Sequence, residues 1–200
     1  MKRIFVLGVA LAMVALMAAG LSAAERKGMI GVGVGGGLLL PMGDFGDGFK
    51  MGWRAGAGVG YFVTNDIMVG ATGAYSENKV DDTTLAPADS KFKIFHYGAF
   101  GKYMFKMQNE KIAPYVKAGV GFYNGKASAP GGSSASETDL GINGGVGVGF
   151  KVSPTAAVFV EGAYHNVFSD PDSYNFITAT AGVAFMFGGS GGGDAGGGTQ

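Results

Sequence analysis

From Met29 onward the chain alternates apolar residues with small or polar ones, and its last run, Tyr174–Phe187, does so most cleanly. Ile177, Ala179, Ala181, Val183, Phe185 and Phe187 fall on one face. Thr178, Thr180, Gly182, Ala184 and Met186 fall on the other, which is the two-residue period of a strand. The same period predicts seven earlier strands, over 29–40, 51–63, 67–77, 91–106, 112–124, 139–152 and 156–168. Their apolar faces carry, among others, Val32 and Val34, Trp53 and Tyr61, Val69 and Tyr75, Phe95 and Tyr103, Val120 and Phe122, Ile142 and Phe150, and Val160 and Tyr164. The links alternate too. Segments 41–50, 78–90 and 125–138 are long and rich in turn formers or polar residues, and 169–173 is shorter, whereas 64–66, 107–111 and 153–155 are tight.

Alternation alone also describes a soluble sandwich. Three features point instead to a barrel in a membrane. The predicted strands are about 10–14 residues, near the length that crosses a bilayer at a tilt and longer than the usual soluble strand. Aromatics gather near strand ends, at Trp53, Tyr61, Tyr75, Phe105, Phe122, Phe150, Phe168, Phe185 and Phe187, as interfacial girdles do. The opposite faces are full of Gly and Ala, which suits the narrow interior of an eight-stranded barrel. Bare amides at an open sheet edge are costly in lipid, so the sheet must close. The expected fold is all-β, an eight-stranded antiparallel up-and-down transmembrane β-barrel over 25–187. Short turns at one end and longer loops at the other match the periplasmic and external ends of bacterial outer-membrane barrels.

The charges fit this register. Arg54, Lys102, Lys117, Lys151 and Glu161, with His96 and Asn143, all fall opposite the apolar faces. A Lys or Arg facing mid-membrane lipid costs roughly 2–4 kcal/mol, and slipping a strand by one residue would put its charge there. These seven residues are expected to form a polar network in the lumen, with Glu161 pairing with one or more of Arg54, Lys102 and Lys117.

Composition sharpens the picture. There are 39 glycines without a collagen period, no cysteine, and 15 basic against 15 acidic residues, a balance that gives no footprint for nucleic acid. Lys2 and Arg3, the uncharged apolar run Ile4–Met17 and the small residues Ser22, Ala23 and Ala24 read as an export signal over 1–24, cleaved after Ala24. Its removal takes two basic residues and leaves 13 basic against 15 acidic, net −2.

PMGDFGDGF at 41–49, GYF at 60–62, APYVKAGVGF at 113–122 and GGVGVGFKVSPTAAVFVEGAYH at 144–165 together resemble the small outer-membrane β-barrel family, the OmpX-like and OmpA-transmembrane-domain-like proteins. The closing TAGVAFMF resembles the terminal signal that the barrel-assembly machinery reads, with Thr180, Gly182, Phe185 and Phe187 in the matching places. The resemblance implies a membrane barrel with a packed interior or narrow pore, and no single activity. Such barrels usually end at the terminal aromatic. Here 188–200, GGSGGGDAGGGTQ, follows with the composition of a flexible, disordered tail.

Other motifs carry less. Gly31 to Gly36 matches the dinucleotide fingerprint formally, but a loop with Pro41 follows where a helix is needed. His96 and His165 lie on different strands without metal-ligand spacing, so no metal or cofactor is expected. His165, Ser169 and Asp170 fall together near the expected outer rim, where some barrel enzymes that modify lipid A keep His and Ser. Their spacing matches no nucleophilic motif and reads as turn chemistry, so catalysis is not expected. The loop acids Asp44, Asp47, Asp81, Asp82, Asp89, Asp170 and Asp172 read as solvated charge, with divalent cations or lipopolysaccharide as the alternative contact. The function expected is a structural, envelope or narrow-pore role in the bacterial outer membrane. A small-solute, porin-like transporter is the alternative and a lipid A-modifying enzyme the third. Expected partners are outer-membrane lipid and lipopolysaccharide and the barrel-assembly machinery, with the chain a monomer.

Overall fold

The computed structural model describes residues 26–79, 91–128, 135–170 and 172–188. The expected export signal, the tail beyond Gly188 and the loop acids Asp81, Asp82 and Asp89 lie outside those residues. Eight strands follow one another, β1 (Ile30–Met42), β2 (Gly52–Phe62), β3 (Ile67–Lys79), β4 (Lys91–Met104), β5 (Ile112–Ser128), β6 (Ala135–Lys151), β7 (Ala156–Phe168) and β8 (Tyr174–Phe187). Each pairs antiparallel with the next, and β8 returns to β1 from Ile30↔Phe187 to Met42↔Asn175, closing the barrel. A single helical turn, α1 (Asp44–Gly48), sits in the first long link. Gly43 turns the chain out of β1 into α1 at φ 59°, a left-handed value that favours glycine.

The outward face is apolar nearly throughout. Val32, Val34, Leu38, Val59, Val69, Val120, Ile142, Val160 and Val183 are all exposed there. Soluble monomers rarely present so continuous an apolar belt, and hydrocarbon is the solvent it suits. Aromatics frame it at both ends. Tyr61, Tyr103, Phe150, Phe185 and Phe187 lie toward the tight turns, and Trp53, Tyr75, Phe95, Tyr97, Phe122, Tyr164 and Phe168 toward the long loops.

The inward face is not filled by small residues alone. Rings from one strand lie over glycines of the next: Tyr115 over Gly147, Phe100 over Gly70, Phe159 over Gly182 and Tyr123 over Gly141. A Cβ built on Gly70 would stand 2.8 Å from Phe100 Cζ, and one on Gly141 would stand 2.7 Å from Tyr123 Cε2. Glycine is thus the hole and the neighbouring aromatic the knob, a cross-strand pairing that packs a lumen too narrow for two large side chains abreast.

Strand limits differ from the expected ones at the loop end. The expected loop 125–138 is largely ladder, because β5 runs to Ser128 and β6 begins at Ala135, in register to Ala127↔Ala135. β1 likewise continues through Pro41 to Met42. Hydrophobic alternation records where the membrane stops, whereas a hairpin continuing into water needs only paired backbone. Proline is tolerated at Pro41 because the β2 ladder has already ended at Leu39↔Gly52. Pro114 sits just past the last β4 pair, Met104↔Tyr115, with its carbonyl accepting from Phe105 N at 2.8 Å. β4 ends at Met104 rather than at 106, because Pro114, next along β5, has no N–H to continue the ladder.

Candidate functional site: the lumen

Two apolar clusters divide the interior lengthwise. At the loop end Leu39, Ile94, Tyr123, Val167 and Phe176 are fully buried, with Phe45, Phe92 and Tyr174 packed against them. Phe45 comes from α1 and lies 5.1 Å from the Tyr174 ring and 5.7 Å from that of Phe92. The first link, expected as a turn-rich loop, is therefore a lid over the barrel mouth. Phe45 and Phe49, two large apolar residues amid Gly and Asp, were the signal for it in the sequence. At the turn end Phe62, Met68, Met104 and Tyr115 are buried, with Met29, Phe100, Ala113 and Met186 against them.

The charged residues occupy the space between. Lys117 on β5 and Tyr115 on the same strand both donate to Glu161 on β7, Tyr115 Oη at 3.1 Å from Oε2 and Lys117 Nζ to Oε1. Lys102 on β4 lies directly across the ladder from Lys117, with its ammonium 4.1 Å from the centre of the Tyr115 ring. Of the three cations expected as partners for Glu161, Lys117 is the one that pairs with it. Arg54 turns toward the loop end, where Nη1 donates to Ser76 Oγ and Nη2 to His96 Nδ1, each at 3.3 Å.

A relay of neutral groups continues from there. The His96 ring stacks on Tyr123 at 4.4 Å. Asn143 Nδ2 donates to Tyr123 Oη at 3.3 Å, and Tyr123 Oη lies 2.9 Å from His165 Nδ1. His165 Nε2 is 3.3 Å from Thr178 Oγ1, which donates to the Ala163 carbonyl at 3.5 Å. One proton assignment satisfies the whole chain: Tyr123 donates to Nδ1 and a neutral His165 donates from Nε2. His165 is thus in the lumen, 3 % exposed, and not at the outer rim with Ser169 and Asp170, where the sequence placed it. Both of its nitrogens face Tyr123 and Thr178. Tyr115, Tyr123, His165 and Thr178 share the inward parity of Lys117, Glu161 and Thr180, so the same counting would have found them.

Lys151 departs from the expected set. It has the inward parity but ends β6 at the turn-end rim, exposed, beside a cavity also lined by Arg26, Glu110 and Lys111. That cavity, of about 170 Å³, shares Met104, Gly149, Ala157 and Met186 with another of about 170 Å³ in mid-lumen, whose lining includes Arg54, Lys102, Lys117 and Glu161. Of the four assembly-signal positions, Thr180 and Gly182 face inward and Phe185 and Phe187 outward.

A family model described as the outer membrane protein beta-barrel domain matches residues 9–187. A search of curated proteins finds no match. Among solved structures, Neisserial surface protein A is similar at 22% identity, over 80% of this chain and 100% of that one, with a TM-score of 0.65. The N-terminal β-barrel domain of Pseudomonas aeruginosa OprF is similar at 17% identity, over 80% and 98%, with a TM-score of 0.52. The Yersinia pestis attachment invasion locus protein, Ail, is similar at 21% identity, over 80% and 99%, with a TM-score of 0.51. At these identities the likeness is one of fold.

Proposed function

The chain belongs to the outer membrane protein β-barrel family and is a bacterial outer-membrane protein, and from that premise we propose a structural role in the envelope with a lumen closed to solute. The loop-end plug carries this reading. Five fully buried side chains, Leu39, Ile94, Tyr123, Val167 and Phe176, fill the barrel beneath the Phe45 lid. Close-packed apolar side chains offer an ion neither ligands nor water. Beneath them the Lys117–Glu161 pair and the Tyr123–His165–Thr178 relay tie β5 to β7 and β8 across the interior, which favours rigidity over passage.

Planar-bilayer recording of the refolded barrel tests the proposal. A closed lumen gives a silent membrane, and steady ohmic steps from the unmodified protein would overturn it. One observation favours the second reading, a narrow pore for small solutes. Two cavities on the turn-end side of the plug share Met104, Gly149, Ala157 and Met186 in their linings, and the methionines among these are flexible.

A further inference from the structure

Counting outward positions beyond the loop-end girdle brings four lysines together on three adjacent strands. The row Tyr75, Phe95 and Asn124 is followed by the row Glu77, Lys93 and Lys126, and then by Lys79 and Lys91. Successive rows are roughly 7 Å apart along a strand. Lys79 stands directly across the ladder from Lys91, and Lys93 directly across from Lys126. Like charges in directly opposed positions destabilise a sheet, and here two such pairs adjoin. Glu77 is the acid within these rows, bridging to Lys91 Nζ at 2.9 Å and accepting from Tyr75 Oη at 3.3 Å. On neighbouring β6, Ser136 and Thr138 complete the rows with hydroxyls, while Glu137 and Asp139 have the opposite parity. Asn124 Nδ2 already donates to Thr138 Oγ1 at 2.7 Å.

We propose that the lysine rows on the outer face of β3, β4 and β5 bind the phosphate groups of a lipid in the external leaflet. The position selects the partner. Phe95, Tyr97 and Phe122 mark the depth at which acyl chains give way to headgroups, and long links mark the external end. Immediately beyond lie four ammonium groups on flexible stems, able to lay their methylenes along the apolar wall and lift their charges to headgroup level. A multiply phosphorylated glycolipid supplies anionic oxygens at that depth and acyl chains for the aromatic wall below. Lys93 and Lys126, directly opposed, then share a counter-charge instead of repelling each other.

The test is native mass spectrometry of the refolded barrel released from micelles containing diphosphoryl lipid A or its dephosphorylated form. The unmodified protein is expected to retain the phosphorylated lipid and not the dephosphorylated one. Lys93→Gln with Lys126→Gln should weaken retention by about fivefold for each lysine. Lys93→Arg with Lys126→Arg should keep it, and Lys27→Gln with Lys151→Gln, at the turn end, should leave it unchanged. Heat-modifiable gel mobility shows that each variant is folded. In phosphate-free micelles the Lys93→Gln and Lys126→Gln pair should be at least as stable as the parent, because an opposed like-charge pair is gone. Equal retention of both lipids, retention untouched by the Gln pair, or equal displacement by inorganic phosphate without any lipid preference would overturn the proposal.

Discussion

Lys117 and Glu161 meet across the lumen from β5 and β7, strands separated by β6. Their ion pair is therefore a strut through the barrel and not a rung of the sheet. Their side chains are only 18% and 11% exposed, so removing one partner strands a charge. Glu161→Ala also leaves Lys117 facing Lys102 across the ladder with no carboxylate beside it. It is expected to cost about 3 kcal/mol, the low end for breaking a buried pair because a cavity borders it. Guanidinium unfolding in lipid vesicles, run as a double-mutant cycle with Lys117→Met, should give a coupling of about 1 kcal/mol or more. Additive single effects would show that the strut contributes nothing.

Adjacent glycines in β1 should answer the same substitution differently. A Cβ on Gly35 would stand 2.9 Å from the Ala181 carbonyl and 3.2 Å from Phe159 Cζ, inside the seam where β1 meets β8. A Cβ on Gly36 would point outward and come no closer than 3.4 Å, to the Arg54 carbonyl. Gly35→Ala is expected to cost about 1–3 kcal/mol through overpacking, and Gly36→Ala to stay within about 0.5 kcal/mol. Unfolding midpoints of the two variants in the same vesicles make the comparison, and equal losses would mean that the seam is less tightly filled than its contacts imply.

Parity made most of this architecture legible. Once Val32 and Val34 are assigned outward, every side chain of β1 has its face, and the same holds strand by strand for Arg54, Lys102, Lys117 and Glu161. What parity could not supply is depth and reach. Lys151 has the inward parity, yet it ends its strand and is left at the rim. Pairing within the lumen also depends on rotamers and on barrel shear, so that Arg54 meets His96 while Glu161 meets Lys117. Polar hairpins beyond the membrane, such as 125–128 with 135–138, carry no hydrophobic period to read. The Phe45 lid is hidden in the sequence because a Gly- and Asp-rich segment signals a turn even when its phenylalanines pack inward.

If hydrocarbon surrounds the barrel, the cost of an outward charge must depend on its depth. Val34 is 49% exposed and lies midway along β1, between Ala57 and Val183 on the neighbouring strands. Leu40 is also outward but sits near the loop end. Val34→Lys is expected to lose roughly 2–4 kcal/mol in a phospholipid bilayer, and Leu40→Lys roughly 0–1 kcal/mol. Equal and small losses in both variants would mean that water, not lipid, wets the outward face.

Closure of the lumen should rest on the loop-end plug and not on the methionines below it. Phe176 is fully buried, stacks on His165 at 4.6 Å and joins Tyr123 and Phe45 in one aromatic cluster. Phe176→Ala empties the centre of that cluster, and its expected cost is about 3–5 kcal/mol of stability. The space it leaves adjoins the polar relay at Tyr123 and His165, so water entering there finds hydrogen-bond partners where the parent offers hydrocarbon. Planar-bilayer recording should then show current steps from Phe176→Ala. Met186→Ala should remain silent, because Met186 lines two cavities that both lie on the turn-end side of the plug. Current from Met186→Ala with none from Phe176→Ala would move the barrier to the turn end.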